Sequence, residues 1–554
     1  MNRAINWRQA SIWLATISLF VGMTVAFQSF ATSAHASTTF EVNVTDHQPL
    51  SGILGSGTSY IATQIAPNGA QSLCAGFDDP KCAQNAEIYA MLPVCQNLSE
   101  INCIEALAVY APNTDSGKAI LQKTIGQEMF PAKPELGLPA GSNISLWNVP
   151  SLKSEGKQSD YAVTVRIKLL KNGLSLRASE FSARVEPFSQ INTSHSPLRT
   201  IERLNPLGVV GISSEGGGAG DQNNNCIWID SGLCGLDADF PIDSRVKLTI
   251  RIGNYLTAWL HGRFTEPKIK ITTIDNLNNR LEMDAAPVKV PSATTILNAD
   301  EAPLEIQNRF KDPSGYLPSG NIKMFIESTQ RGALGSFLAF EKFFSNKSNK
   351  LVDTWSMQSM SAQIIPCANA ANLSTEPLGT LIGIVATNAV TYESQPPSFS
   401  DGALKYQVAG LHFLSDGQTV FQGRYDLLMR SDFARCLYGY TNAPVIAEVS
   451  ILNEGSSNFV TSTIFKESDG WLNIGAYGFT FSNPTLSVKL NQAKPIQPSP
   501  LASPSPLASP SPLASPLPTQ NTTFQKSSIL CVKGKVTKKV TAKNPKCPKG
   551  FKKI

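Results

Sequence analysis

The amino-acid sequence predicts a mainly β, multi-domain protein with an antiparallel sandwich- or barrel-like body, a proline-rich spacer and a small disulfide-closed β-hairpin tail. Three observations support this prediction. Short stretches of alternating polar and apolar residues are separated by turn dipeptides, which is typical of antiparallel sheets. Three copies of PSPLAS then exclude regular structure, because proline lacks a backbone donor. Finally, the 554-residue chain ends in a lysine-rich segment that contains two cysteines.

Residues 1–36 have the pattern of a secretory signal peptide. "MNRAINWRQ" is a short positive region, "ASIWLATISLFVGMTVAF" is apolar, and Ala34-His35-Ala36 supplies an A-x-A cleavage pattern. We therefore expect cleavage after Ala36. The alternative is an uncleaved membrane anchor, because the apolar run approaches the length of a spanning helix. The later run "LGTLIGIVATNAV" (378–390) is shorter and interrupted by glycine, so it is expected in a core.

The ten cysteines indicate disulfides and an oxidising compartment. Short spacing favours two pairs, and a third pair remains: Cys226–Cys234, Cys531–Cys547 and Cys367–Cys436. The other four form a local cluster in which three connectivities are open: Cys74, Cys82, Cys95 and Cys103. Zinc-type cysteine spacing is absent from the sequence. We predict no bound metal and no cofactor.

The body is predicted to contain three β domains. Their expected ranges are 37–200, which holds the cysteine cluster, 201–292, and 293–493, which is sandwich-like. Stretches rich in Pro, Ser and Gly suggest the two boundaries.

Several local signals predict strands and hairpins within these ranges. In "YAVTVRIKLLKNGLSLRASEFSARV" (161–185), Asn172-Gly173 predicts a hairpin turn. "RVKLTIRIG" (245–253) and "PKIKITTI" (267–274) alternate as strands do. Asp416-Gly417 and Asp469-Gly470 mark turns between later strands.

The stretch "NYLTAWLHGRF" (254–264) is the candidate for ligand contact in the body. As one strand, it would carry aromatic and hydrogen-bonding side chains on one face and apolar side chains on the other. The first face would suit stacking on sugar rings or on a protein partner. Its candidate binding residues are Tyr255, Trp259, His261 and Arg263. The alternative is that these residues fill a second core between sheets.

Two loops resemble ligand sites only in part. "DQNNNCIWIDSGLCGLDADFPID" (221–243) begins like a calcium loop, but Cys226 and Gly232 stand where a glycine and a bidentate Glu are required. A looser oxygen-rich site is the alternative, formed by Asp237, Asp239 and Asp243. "GISSEGGGAG" (211–220) lacks the Lys and the helix of a phosphate-binding loop, so it is predicted to be an ordinary loop.

The C-terminal end consists of a spacer and a cationic tail. Residues 494–523 form a Pro/Ser/Ala-rich linker, whose polyproline II segment would extend over about 60 Å. Residues 524–554 are predicted to form a cationic hairpin, since Val and Thr alternate with Lys. Nine of its lysines are candidates for envelope binding: Lys533, Lys535, Lys538, Lys539, Lys543, Lys546, Lys549, Lys552 and Lys553.

Charge is divided unequally along the chain. Residues 526–554 contain ten Lys and no acid, and residues 1–36 contain two Arg and no acid. Without these twelve, 35 basic residues face all 42 acidic ones, so the body has a net charge of −7 and the tail +10. A basic tail on an acidic body is typical of attachment to an anionic partner.

Two parts of the sequence resemble known exported proteins. The tail pattern "CVKGKVTKKVTAKNPKCPKGFKK" resembles a lysine-rich C-terminal module of exported actinobacterial proteins. At "LTAWLHGRF", "RYDLLMRSDFARCLYGY" and "ESDGWLNIGAYGFTFSNPTLSVKL", the body resembles an uncharacterised family of exported proteins from the same group. This second resemblance covers about residues 200–490. It implies export and a β architecture, and it assigns no catalytic residue.

The sequence favours a secreted binding or adhesion protein at the cell surface or cell wall. The G-x-S-x-G, H-E-x-x-H and phosphate-loop motifs are absent. The expected partners are an anionic envelope polymer or lipid surface for the tail and a glycan or protein ligand for the body. Nucleic acid is not expected in vivo because of export, and no transmembrane helix is expected after signal removal. The alternatives are an extracellular glycan-degrading or glycan-modifying enzyme, since a carboxylate pair would suffice, and a structural envelope protein.

Overall fold

A computed structural model gives the structure of the protein over the following residues: 38–46, 58–111, 117–126, 128–205, 208–217, 226–253, 255–256, 259–311, 315–327, 332–360, 367, 381–440, 445–453, 456–458, 462–481, 485–492, 527–533, 536–542 and 552–553. The predicted signal peptide with Ala36 and the predicted linker 494–523 lie outside these ranges.

The described residues in the first half of the body include seventeen β-strands and one short α-helix. In chain order the strands are β1 (Thr39–Thr45), β2 (Tyr60–Ala62), β3 (Asn85–Met91), β4 (Cys103–Tyr110), β5 (Ile120–Thr124), β6 (Ser145–Asn148), β7 (Asp160–Asn172), β8 (Ser175–Asn192), β9 (Arg199–Leu204), β10 (Val210–Glu215), β11 (Cys226–Asp230), β12 (Leu233–Asp237), β13 (Arg245–Gly253), β14 (Trp259–Arg263), β15 (Thr265–Thr273), β16 (Asn278–Ala286) and β17 (Val288–Asn298). Helix α1 (Pro150–Ser154) lies between β6 and β7.

The rest of the described chain continues with β18 (Asn321–Glu327), β19 (Lys350–Ser359), β20 (Gly383–Thr387), β21 (Thr391–Tyr392), β22 (Ser398–Ser400), β23 (Ala403–Ala409), β24 (Gly423–Arg430), β25 (Val445–Asn453), β26 (Ser456–Asn458), β27 (Ser462–Ser468), β28 (Trp471–Phe479), β29 (Thr485–Gln492), β30 (Ser527–Lys533), β31 (Val536–Ala542) and β32 (Lys552–Lys553). The helices are α2 (Leu304–Asn308), α3 (Ala333–Phe340) and α4 (Ser431–Tyr438). The mainly β prediction is confirmed.

The local hairpin signals lead to the predicted hairpins. β7 and β8 pair from Tyr161↔Pro187 to Asn172↔Ser175, so the two-residue turn lies at Gly173 and Leu174. Gly173 has φ +60°, a conformation that glycine adopts without a steric penalty. The predicted turn at Asp469-Gly470 joins β27 to β28, with Ser468 opposite Trp471.

The described residues within Met1–Lys494 form one compact unit. β1 lies between two strands from much later in the chain: it pairs antiparallel with β17 and parallel with β18. β8 likewise pairs with β19, and β4 with β13. These pairings cross the predicted boundaries near residues 200 and 293, so the Pro/Ser/Gly-rich stretches there do not separate domains.

Three large apolar clusters form the core of this unit. The first is contributed mainly by β3, β4, β7, β8, β13 and β16, and the second mainly by β20, β23, β24, β28 and β29. In the third, Phe337 and Phe340 of α3 pack with Phe40 and Val42 of β1. The apolar run that was expected in a core is buried from Leu381 to Val390.

Four disulfides brace the body. Cys226–Cys234 is a pair that short spacing predicted, and Cys367–Cys436 is the predicted remaining pair. The open connectivity of the N-terminal cluster is Cys74–Cys82 and Cys95–Cys103. Cys367–Cys436 spans 69 residues and ties the chain ahead of β20 to α4. No helix within the described ranges is long and apolar enough to span a bilayer.

The C-terminal unit, Pro495–Ile554, contains a small three-stranded sheet. β30 is its central strand and pairs antiparallel with β31 and with β32. The predicted hairpin corresponds to β30 and β31, and β32 adds a third strand that the sequence did not suggest.

Candidate functional site

The four residues that were predicted to form a binding face lie inside the body. Tyr255 is 9% exposed, Trp259 4%, and His261 and Arg263 1% each. β14 covers only Trp259–Arg263, and Tyr255 precedes it in a turn. They therefore do not form the open platform that alternation suggested, and the alternative of a second core describes them better.

Both faces of β14 are covered because it is an interior strand. It pairs antiparallel with β19 and parallel with β20. Leu260 packs in the first apolar cluster and Trp259 in the second. A Cβ added to Gly383 would lie 2.3 Å from the Trp259 ring, so the indole rests directly on the backbone of β20. Tyr255 donates its hydroxyl hydrogen bond to the Gly137 carbonyl instead of facing solvent.

The guanidinium of Arg263 connects three separate parts of the chain. Its Nε donates to Asp46 Oδ1 at 2.7 Å, directly after β1. Nη1 donates to the carbonyl oxygens of Thr387 at 3.0 Å and Ala389 at 2.6 Å, and Nη2 donates to that of Val390 at 3.2 Å. These carbonyls belong to the bend between β20 and β21. Arg263 therefore fixes β14 to this bend and to the end of β1.

His261 and Tyr392 stack beside this ion pair. Their ring centroids are 3.3 Å apart and their planes differ by 5°. The guanidinium carbon of Arg263 lies 4.8 Å from the centre of the Tyr392 ring, and Gln358 Nε2 donates to the tyrosine hydroxyl at 3.0 Å. Burial, followed by the positive charge of Arg263, holds the pKa of His261 well below its usual value. The imidazole is therefore neutral at physiological pH.

The network formed by Arg263, Asp46, His261 and Tyr392 has a structural role. Asp46, His261 and Arg263 are each about 1% exposed, so an external substrate has no open approach to their polar atoms. Asp46 Oδ2 and His261 Nε2 have no hydrogen-bond partner among the described residues. Buried polar atoms without partners are costly, by roughly 1–3 kcal/mol each. The ion pair and the hydrogen bonds to the bend have to offset that cost.

The carboxylates of the calcium alternative do not form a metal centre. Asp237 and Asp239 lie near Asp353, which accepts a hydrogen bond from the Phe240 N–H at 3.1 Å. Burial, with a smaller contribution from the charges of Asp239 and Asp237, raises the pKa of Asp353 to about 6. Asp243 adopts a left-handed turn with φ +57°. Within the described ranges, no group of three His, Cys, Asp or Glu side chains is arranged to hold a metal ion.

Five of the nine candidate envelope-binding lysines lie on the described strands of the C-terminal unit. Lys538 and Lys553 are the backbone partners of Cys531 on its two sides. Lys539 is opposite Leu530, Lys552 is opposite Val532, and Lys533 ends β30. Four lysines lie outside the described residues: Lys535, Lys543, Lys546 and Lys549. Cys547 does too, so the Cys531–Cys547 bridge stays a prediction.

β9 and β10 pair antiparallel as a separate two-stranded sheet, which we call the β9–β10 ribbon. A polar cavity beside this ribbon is one feature of the body that sequence reasoning missed. Its volume is about 430 Å³, and it is lined by Ser194, His195, Ser196, Arg203, Ser214, Glu215 and Gly216. The sequence contains a signal for it in the polar letters "SHS" and "SSEGGG". Both stretches were interpreted as boundary or loop segments, because nothing local shows that they meet.

The chain matches no protein-family model, and neither the curated proteins nor the solved structures include a significant match to it.

Proposed function

We propose that this chain is an extracellular binding protein that its lysine-rich C-terminal unit holds on an anionic cell envelope. The observation that supports this most directly is the three-stranded C-terminal sheet. It gathers Lys533, Lys538, Lys539, Lys552 and Lys553 on neighbouring strands, in a segment that contains no acid. The four disulfides of the body agree with an oxidising, extracellular environment.

The register explains why these charges would act together. Lys538 and Lys553 flank Cys531, so their backbones are two strand spacings apart, about 10 Å. This is close to the screening length at physiological salt, about 8 Å. An anionic polymer or headgroup layer would therefore meet several ammonium groups at once. Each lysine near an anionic membrane surface contributes about 1 kcal/mol, and the attraction weakens as salt rises.

The division of charge gives the body and the tail different roles. The body carries −7 and would be repelled by the surface that attracts the tail. We therefore assign attachment to the envelope to the tail, and contact with a glycan or protein ligand to the body.

Co-sedimentation of the full chain with purified anionic envelopes at increasing NaCl tests this proposal. We expect retention at low salt and release as salt rises. Glutamine at the five described tail lysines halves the tail charge from +10 to +5, so retention should weaken and release should occur at lower salt. The matched control carries glutamine at five exposed body lysines, Lys118, Lys153, Lys270, Lys289 and Lys466, and changes net charge by the same amount. Equal loss in both variants, or retention that persists in molar salt, would contradict the tether.

A further inference from the structure

The cavity beside the β9–β10 ribbon is held open by the fold. The Gly217 N–H donates to the Ser196 carbonyl at 2.6 Å, which joins the end of the ribbon to the segment that precedes it. Gly216 has φ +85°, and a Cβ there would lie 2.2 Å from the Pro197 carbonyl oxygen. Only glycine fits this close approach, so the wall formed by residues 194–197 sits directly against the ribbon.

The ribbon is also fixed to the body. The Gln71 N–H donates to the Val210 carbonyl at 3.0 Å, and the Leu73 N–H donates to Glu202 Oε1 at 2.6 Å. The hydroxyls of Thr58 and Thr200 are 2.5 Å apart. These contacts link both strands of the ribbon to residues 58–73. A ligand would therefore meet a preformed cavity and would pay little ordering entropy.

The two charged side chains of the cavity lining, Glu215 and Arg203, differ in whether they have an ion-pair partner. Glu215, the acidic residue of the lining, accepts from Arg199 Nη2 at 2.7 Å and from Nε at 2.9 Å. Arg203 has no ion pair or side-chain hydrogen bond with any residue that the structure describes. Its neighbour Glu202 alternates to the other side of β9 and accepts from Leu73. Among the described residues, Glu215 therefore has an ion-pair partner in Arg199, and the Arg203 guanidinium has none.

The lining defines the chemistry of a ligand. Ser194 and Ser196 provide hydroxyls that both donate and accept, which matches a ligand rich in hydroxyl groups. Ser214 also lines the cavity, but it is paired with Thr200 and its side chain lies on the Glu202 side of the ribbon. The Arg203 guanidinium offers a planar fork of donors that fits a carboxylate or a phosphate. Apart from the imidazole of His195, none of the described lining residues has an aromatic or aliphatic side chain, so an apolar ligand would gain little there. A volume near 430 Å³ lies within the range of small-molecule sites.

We infer that this cavity binds an anionic carbohydrate unit, a hydroxylated ring or polyol with one carboxylate or phosphate, through Arg203 and the surrounding serine hydroxyls. The inference rests on the proposed function, because it names the ligand class of the body. It does not depend on the tail.

Calorimetric titration of the full chain with three small probes tests the site. The probes are methyl glucuronide, glycerol 3-phosphate and neutral methyl glucoside. Each anionic probe carries too little charge to bridge the tail lysines. We expect an anionic probe to bind and the neutral one to bind at least tenfold more weakly. The two anionic probes distinguish a uronic acid from a polyol phosphate.

Three variants assign any binding to the cavity. Arg203→Gln should weaken the anionic probe at least tenfold, and Arg203→Lys should fall between it and the wild type, because it keeps the charge and loses the fork. Arg177→Gln changes an exposed arginine of β8 and should bind as the wild type does. Equal binding by Arg203→Gln, preference for the neutral probe, or no binding of any probe would overturn the inference. The envelope tether would survive each of those results, since its test uses the tail lysines alone.

Discussion

Replacement of Arg263 by methionine should destabilise the body more than any other substitution of similar size in β14. Methionine keeps an unbranched apolar stem but removes every donor of the guanidinium. The carboxylate of Asp46, 1% exposed, then loses its buried ion-pair partner. Loss of one partner from a buried pair costs about 3–5 kcal/mol. The three carbonyls of the bend lose their donor as well, at roughly 1 kcal/mol or more each.

The pair and the three carbonyls together give an expected loss of at least about 6 kcal/mol, a large part of a total stability of about 5–15 kcal/mol. Urea unfolding with the disulfides intact, followed by tryptophan fluorescence, measures it. A second substitution, Asp46→Leu, separates the two contributions. Added to Arg263→Met, it should recover about 2–3 kcal/mol, because no buried charge then remains without a partner. A loss below 1 kcal/mol for the single variant, or a further loss in the double variant, would refute this reasoning.

Three further predictions concern the same core. Trp259→Ala should cost about 3–5 kcal/mol in urea unfolding, because it empties the space between Gly383 and the Phe433 ring; an unchanged midpoint would return the indole to the surface. The pKa of His261 is depressed in the folded state, so the unfolded chain takes up the proton first as pH falls below about 6.5. His261→Phe should therefore remove a fall in stability of up to about 1.4 kcal/mol per pH unit below pH 6.5, and identical pH profiles for the two proteins would be inconsistent with a neutral, buried ring. Alanine at both Cys367 and Cys436 should cost about 4 kcal/mol, by the chain-entropy argument for a 69-residue separation, and non-reducing peptide mapping that finds either thiol free would contradict the bridge.

The parts of the fold that depend on nearby residues could be predicted from the sequence. The β7–β8 hairpin needs only alternation on both sides of Asn172-Gly173, and β13 occupies the predicted residues 245–253. Cys226–Cys234 closes the β11–β12 hairpin, so its partners are also near neighbours. In each case the information is contained within a few residues of the element.

The role of β14 could not be predicted in this way. Alternation assigns residues to two faces, but the neighbours of the strand decide whether a face is covered. Those neighbours, β19 and β20, begin at Lys350 and Gly383, about ninety residues or more along the chain. The cavity could not be predicted for the same reason, because the ribbon that carries Arg203 is held by Leu73 and Thr58, which lie 129 and 142 residues from their partners Glu202 and Thr200. Contacts between residues so far apart in the chain leave no pattern in the local sequence.

The place of β1 between β17 and β18 has a consequence for synthesis. β1 ends at Thr45, and the parallel partner that completes its hydrogen bonding ends at Glu327. At about 5–20 residues per second, a ribosome needs about 15–60 s to make the chain between them. Until β17 is made, the first strand of the body has two unpaired edges and exposes Phe40, Val42 and Val44, and one edge stays unpaired until β18 is complete. The nascent chain therefore needs a holding chaperone, or a translocation step that keeps it extended, until its own later strands arrive.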